Sequence, residues 1–195
     1  MNRYDLITAP ETEPVTIDQV VMQSRDIDNP EQYDLWEIYI ESARMYVENI
    51  IGPVIAQTWD MTIDAFPNGN TIEIEKQRVT SVTSLKYTDE DGTETTFDSD
   101  KYIVDASGSG YAKITLKDDY SWPTVTLKES GAVVIRFIAG YDSASTVPAQ
   151  IKHAIMLLVA HYDANRLPAN LRNMEIQNVP YSVTSLLAQL GDYHV

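Results

Sequence analysis

The chain has no cysteine, few basic residues and no apolar run long enough to cross a bilayer, and each shortage closes off a class of function. Without a thiol there is no disulfide framework, no cysteine nucleophile and no cysteine-ligated zinc; the redox compartment stays open, with a lean toward the cytosol. Only 14 Lys and Arg stand against 29 Asp and Glu, for a net charge of −15. Residues 1–52 carry 3 basic and 11 acidic groups, residues 53–140 carry 8 and 14, and residues 141–195 carry 3 and 4. No segment offers a basic stripe for gripping phosphates, which argues against a sequence-reading nucleic-acid binder. Two readings of the acidity stay open: a solvated surface that keeps the protein soluble, and a surface that lets DNA pass without sticking. The opening MNRYDLITAPE lacks an apolar core of signal-peptide length, so no secretion is expected.

The longest apolar stretch lies within VPAQIKHAIMLLVAHYDANR, residues 147–166, where 154–160 contain no polar side chain. It falls short of the about 20 apolar residues a membrane span needs. Ile151, Ala154, Ile155, Leu158 and Tyr162 recur at helical spacing, while Met156, Leu157 and Val159 widen the stripe. Pro148 suits the first turn and Pro168 a stop. This is the expected central helix, wrapped by an N-terminal helical pair.

In VTIDQV, Thr16 can cap the N–H of Gln19 while Gln19 reaches back, with Val15 and Val20 at the staple positions; the helix should fray over 26–29. Asn29, Pro30 and Gln32 then signal a second start. From Glu31 the spacing predicts a long amphipathic helix to Ile51, its stripe made of Trp36, Ile40, Ala43, Val47 and Ile50, broadened by Tyr39, Tyr46 and Ile51. Gly52-Pro53 ends it.

The hydrophobic period next changes from 3.6 to 2. Trp59, Met61, Ile63 and Ala65 alternate with Thr58, Asp60, Thr62 and Asp64. Ile72 and Ile74 resume the alternation after a turn at 67–70. Asp89-Glu90-Asp91-Gly92 marks a hairpin between 82–88 and 93–97. After a turn at Gly108-Ser109-Gly110, Ala112, Ile114 and Leu116 alternate, and Val133, Ile135 and Phe137 share one face of a last strand. The expected class is α+β, a small helical bundle with an inserted, mostly antiparallel β domain. Residues 1–56 and 140–166 would form the helical domain and 57–139 the insertion. Residues 167–195 would be a polar arm and a short helix with Leu186, Leu187 and Leu190 on one side. A helix that short must dock, either back on its own chain or on a neighbour; its composition favours the neighbour.

Chemistry finds little purchase. His153 and His161 are about 12 Å apart along one helix, too far to share a metal, and His194 stands alone. The aspartate-rich turn has its glycine at the wrong position for a calcium loop. Neither a nucleophile elbow nor a phosphate-cradling loop is present. Trp36, Trp59 and Trp122 are dispersed over helix, strand and loop, as core and interface residues are. No catalytic, cofactor or metal residue is assigned, and the residues alone describe an α+β binding or structural protein.

The order of short segments says more. PVTIDQV, ARMYVENIIG, QTWDMTIDAFP, VTSVTSLKYTDEDGTE, YSWPTV, VVIRFIAGYDS and VPAQIKHAIMLLVAHYDANR, with a weaker VPYSVTSLLAQL, resemble the head–tail connector (adaptor) proteins of tailed bacteriophages and prophages, in the branch with a β insertion. The resemblance implies a non-enzymatic virion protein without cofactors, assembled in the bacterial host cytoplasm and seated at the head–tail junction. Its partners would be further copies of itself in a ring, the portal protein above, a neck, stopper or tail protein below, and double-stranded DNA passing through the lumen without sequence-specific binding. No membrane partner is implied. The acidic N-terminal helices and the length of the 166–180 arm depart from the family pattern. An aromatic-rich helix and a terminal arm suit a closing interface between copies, which makes Trp36, Tyr39, Tyr46, Leu186, Leu187 and Leu190 the candidate assembly contacts. The rival readings are another phage neck or tail component, and a small-ligand binder or enzyme using the β domain.

Overall fold

The hydrophobic period changes at Gly52-Pro53 and again at Gly140, and the fold changes with it. The computed structural model describes residues 2–24, 32–106, 111–165 and 181–188. These form an α+β protein of two compact units. A β unit holds the residues up to Pro10 and Ala56–Gly140; a helical unit holds Glu11–Ile55 and the described residues from Tyr141 onward.

Among its described residues the β unit has eight strands: β1 Arg3–Thr8, β2 Gln57–Ile63, β3 Thr71–Ile74, β4 Val79–Thr88, β5 Glu94–Phe97, β6 Tyr102–Asp105, β7 Ala112–Leu116 and β8 Val133–Ala139. They pair antiparallel in a five-stranded sheet, β1-β2-β8-β4-β5, and a three-stranded sheet, β3-β7-β6. Strand β8 is central because its alternation is the cleanest: Val133, Ile135, Phe137 and Ala139 are all fully buried. Ile135 sits opposite Met61 on one side and Leu85 on the other. Ile72, Ile74, Ala112, Ile114 and Leu116 of the smaller sheet join the same hydrophobic cluster.

The aspartate-glycine hairpin forms as expected. The Asp89 carboxylate accepts the Thr93 N–H at 2.8 Å, and Gly92 takes the positive φ of 83° that its turn position requires. Strand β2 departs from the expected alternation. Met61 is buried, but Trp59 and Ile63 are only half-buried, Ala65 is exposed beyond the strand end, and Thr62 is buried. Residues 130–131 fold over that end: the Asp64 carboxylate accepts the Gly131 N–H at 2.7 Å, and a Cβ on Gly131 would lie 3.1 Å from the Thr62 methyl. Strand β1 lies outside the expected elements. RYDLIT alternates only as far as Leu6, where a bulge breaks the register, and only Tyr4 reaches the core, edge-on to Phe137 at 6.3 Å.

The helical unit contains α1 Ile17–Ser24, α2 Tyr33–Ile51, α3 Ala149–Ala164 and α4 Tyr181–Ala188. The capping box is present in both directions: the Gln19 N–H donates to the Thr16 hydroxyl at 3.3 Å, and the Thr16 N–H donates to the Gln19 amide oxygen at 3.1 Å. Val15 and Val20, the staple pair, are both buried. Asn29 and Pro30, the expected cap of the second helix, lie outside the described residues, as do the 108–110 turn, Pro168, the 166–180 arm and His194. Gly52 closes α2 with φ 82°, its N–H donating to the Glu48 carbonyl at 2.9 Å. Helix α3 is the centre of the unit, with α1, α2 and α4 packed on it. Ile151, Ala154, Ile155, Leu158 and Val159 are fully buried, and Met156 and Leu157 partly so.

Candidate assembly surfaces

The buried stripe of α2 runs Trp36, Ile40, Ala43, Arg44, Val47, Ile51. Arg44 is the member that apolar periodicity passes over, and it is only 5% exposed. Its position follows the stripe, four residues after Ile40, so the helix carries its stem inward and its guanidinium must find acceptors there. Its Nε lies 2.9 Å from the Glu13 carboxylate, its Nη1 lies 2.9 Å from Glu48, and Glu41 stands at 3.9 Å. Glu48 turns its other oxygen to the Val54 N–H at 3.0 Å. Burial pushes the Glu13 carboxyl above its ordinary value despite the pull of Arg44. Burial works against the charge of Arg44 too, but Glu13 and Glu48 together outweigh it and hold the guanidinium protonated more firmly than usual.

Beside this cluster the start of α1 and the outer side of α2 enclose an open groove of about 660 Å³. Glu13, Asp18, Asp34, Glu37 and Glu41 line it together with Ile38, and among the described residues no Lys, Arg or His does. Ile38 is 57% exposed and Met45, two turns further along α2, is 53% exposed, so an apolar track runs through an acidic face. In the β unit the outer face of the large sheet carries the bidentate Arg136–Asp60 pair, both bonds 2.8 Å. Leu6 and Ile7 on edge strand β1 and Ile103 on edge strand β6 are exposed. Among the described residues no group of His, Asp and Glu is arranged to hold a metal ion, and no helix is long and apolar enough to cross a membrane.

The expected contact residues divide. Trp36 is 1% exposed, its indole N–H donating to the Asp163 carboxylate at 3.2 Å, and Leu187 is fully buried. Both are buried in the core of their own helical unit. Alpha-helical geometry explains both: Trp36 sits on the stripe that faces α3, and α4 turns Val183 and Leu187 together onto the same core. Tyr39, Tyr46 and Leu186 are half-buried at its rim, Tyr39 against Tyr162 at 5.9 Å. Leu190 lies outside the described residues.

The family model of the head completion proteins matches residues 15–184. The chain belongs to the head completion protein family. Among the described elements the match takes in α1, α2, α3 and α4 as far as Thr184, and every strand but β1. This head completion protein also shares its fold along nearly its whole length with chains from three solved assemblies. One is the neck of an empty gene transfer agent (GTA) particle computed with C6 symmetry, with a TM-score of 0.77 and 19% identity, covering 99% of this chain and 97% of that one. The second, from the virion of a native GTA particle, has a TM-score of 0.76 and 19% identity, covering 98% and 96%. The third, from the neck of a native GTA particle computed with C12 symmetry, has a TM-score of 0.71 and 21% identity, covering 99% and 97%. At these identities the likeness is one of fold. No curated protein matches the chain. The protein is thus a structural protein of the phage head completion type, as the order of its segments led one to expect.

Proposed function

We infer that copies of this chain close into a ring at the head–tail junction of a phage-like particle, continue the DNA channel below the portal and present a docking face to the next neck or tail protein. The observation that carries the reading is the shared fold, end to end, with chains of GTA particles whose necks were computed with C6 and C12 symmetry. Family membership over 15–184 supports it. A ring needs a heterologous interface that closes on itself. Tyr39, Tyr46, Leu186 and Leu190 stand as its candidate contacts, together with Ile38 and Met45 on the outer side of α2. The net charge of −15 per subunit, repeated around a ring, makes walls that duplex DNA passes without adhering. The role is scaffolding, with no catalytic step.

Electron microscopy of the purified protein, alone and mixed with its portal, tests this directly. Rings, or rings formed only on the portal, are the expected outcome. A protein that stays monomeric at high concentration and leaves the portal bare would overturn the reading, and binding to another neck component alone would move it to a different tier of the neck.

A further inference from the structure

The chain passes between its two units three times, at 10/11, 55/56 and 140/141. On the helical side, the roots of all three passages meet in one hydrogen-bonded relay. Glu13, just after the first passage, binds the guanidinium of Arg44 at 2.9 Å. Arg44 binds Glu48 at 2.9 Å, and the second oxygen of Glu48 accepts the N–H of Val54, just before the second passage, at 3.0 Å. The Val54 carbonyl accepts the N–H of Tyr141, the first residue after the third passage, at 3.0 Å, and Ile55 and Tyr141 form a parallel bridge. The elements are close-packed around the relay: Val54 is fully buried and Ile55 nearly so.

We propose that Arg44 is the pin of a three-way clasp that fixes the segments tethering the β unit, so that these segments loosen together when the pin is withdrawn. The physical case rests on the difference between the relay and three separate anchors. Glu48 is shared between Arg44 and Val54, and Val54 is shared between Glu48 and Tyr141. Loss of the guanidinium removes the cation that holds one Glu48 oxygen, which weakens the grip of the other oxygen on Val54 and, through Val54, the bond to Tyr141. The first passage, held through Glu13, is released in the same event. Segments anchored independently would open one at a time.

Amide hydrogen exchange on the full-length chain tests this, with Tyr141 as the reporter because its N–H donates to the Val54 carbonyl at the end of the relay. Arg44→Met is expected to speed exchange at Val54 and Tyr141 by about tenfold or more relative to the core amides of Leu158 in α3 and Ile135 in β8, as a local opening does. Proteolytic nicking near 10–12 should rise with it, and Arg44→Lys should restore part of the protection. Should Arg44→Met fail to fold, Glu48→Ala carries the same test, since it spares Glu13 and Arg44 yet should still expose Tyr141. The proposal is overturned if Tyr141 keeps its protection in the folded variant, or if all amides accelerate in parallel, the mark of a general loss of stability.

Discussion

A single guanidinium on the buried side of α2 costs more to place there than an apolar side chain, and its carboxylate partners decide whether its loss harms the fold. Removing it leaves Glu48 largely buried and Glu13 about a third exposed, without their cation. Arg44→Met should therefore destabilise the protein by about 2–4 kcal/mol, somewhat below the range for fully buried pairs because Glu13 keeps some water; urea titration checks it. Glu13 yields a pH prediction. Its carboxyl titrates higher in the fold than its ordinary 4.5, so the folded state holds that proton more tightly than the unfolded chain does. The resulting stabilisation is complete below the unfolded value and is lost as pH rises through the folded one. Against the wild type, Glu13→Gln should thus fare better as pH rises from about 4.5 toward neutrality. Denaturation series across that window read the slope; a relative gain toward acid pH would contradict it.

At the scale of elements, the parts most legible in the sequence are those decided by neighbours a few residues apart. The Thr16–Gln19 box, the Gly52 stop, the Asp89 hairpin and the alternation of β7 and β8 all follow from local chemistry, and all are present. Arg44 is illegible because its decisive partner, Glu13, is 31 residues away and approaches only once the bundle forms. Strand β1 escapes notice because two alternations and a bulge make too short a pattern. Whether α4 docks on its own chain or on a neighbour depends on tertiary geometry that composition does not encode. Within this chain Val183 and Leu187 are fully buried. Two predictions belong here. Leu158, fully buried at the centre of α3, should cost about 2–5 kcal/mol on truncation to alanine, read by denaturant titration. Gly52, with φ 82° and ψ −179°, occupies a region essentially reserved for glycine, so Gly52→Ala should cost about 1–3 kcal/mol in the same assay.

For the whole molecule, the burial of α4 changes how assembly has to be probed. Deleting the chain from 181 onward removes Val183 and Leu187 from the helical core, so a loss of rings in such a truncation would report on folding as much as on contacts. Ionic strength offers a cleaner handle. Each copy carries −15, and α2 shows an acidic face to solvent, so copies brought side by side repel one another while Ile38 and Met45 offer apolar contact. Salt shortens the reach of that repulsion from about 10 Å at 0.1 M to about 3 Å at 1 M and leaves apolar burial favourable. Self-association should therefore strengthen as sodium chloride rises, measured by light scattering of the full chain at fixed concentration. Ile38→Asp, a change at a solvent-facing position that leaves the core intact, should abolish the gain if the α2 face lies in the ring contact. Association that weakens with salt would instead mean that copies meet through ion pairs, basic side chains of one copy against carboxylates of the next.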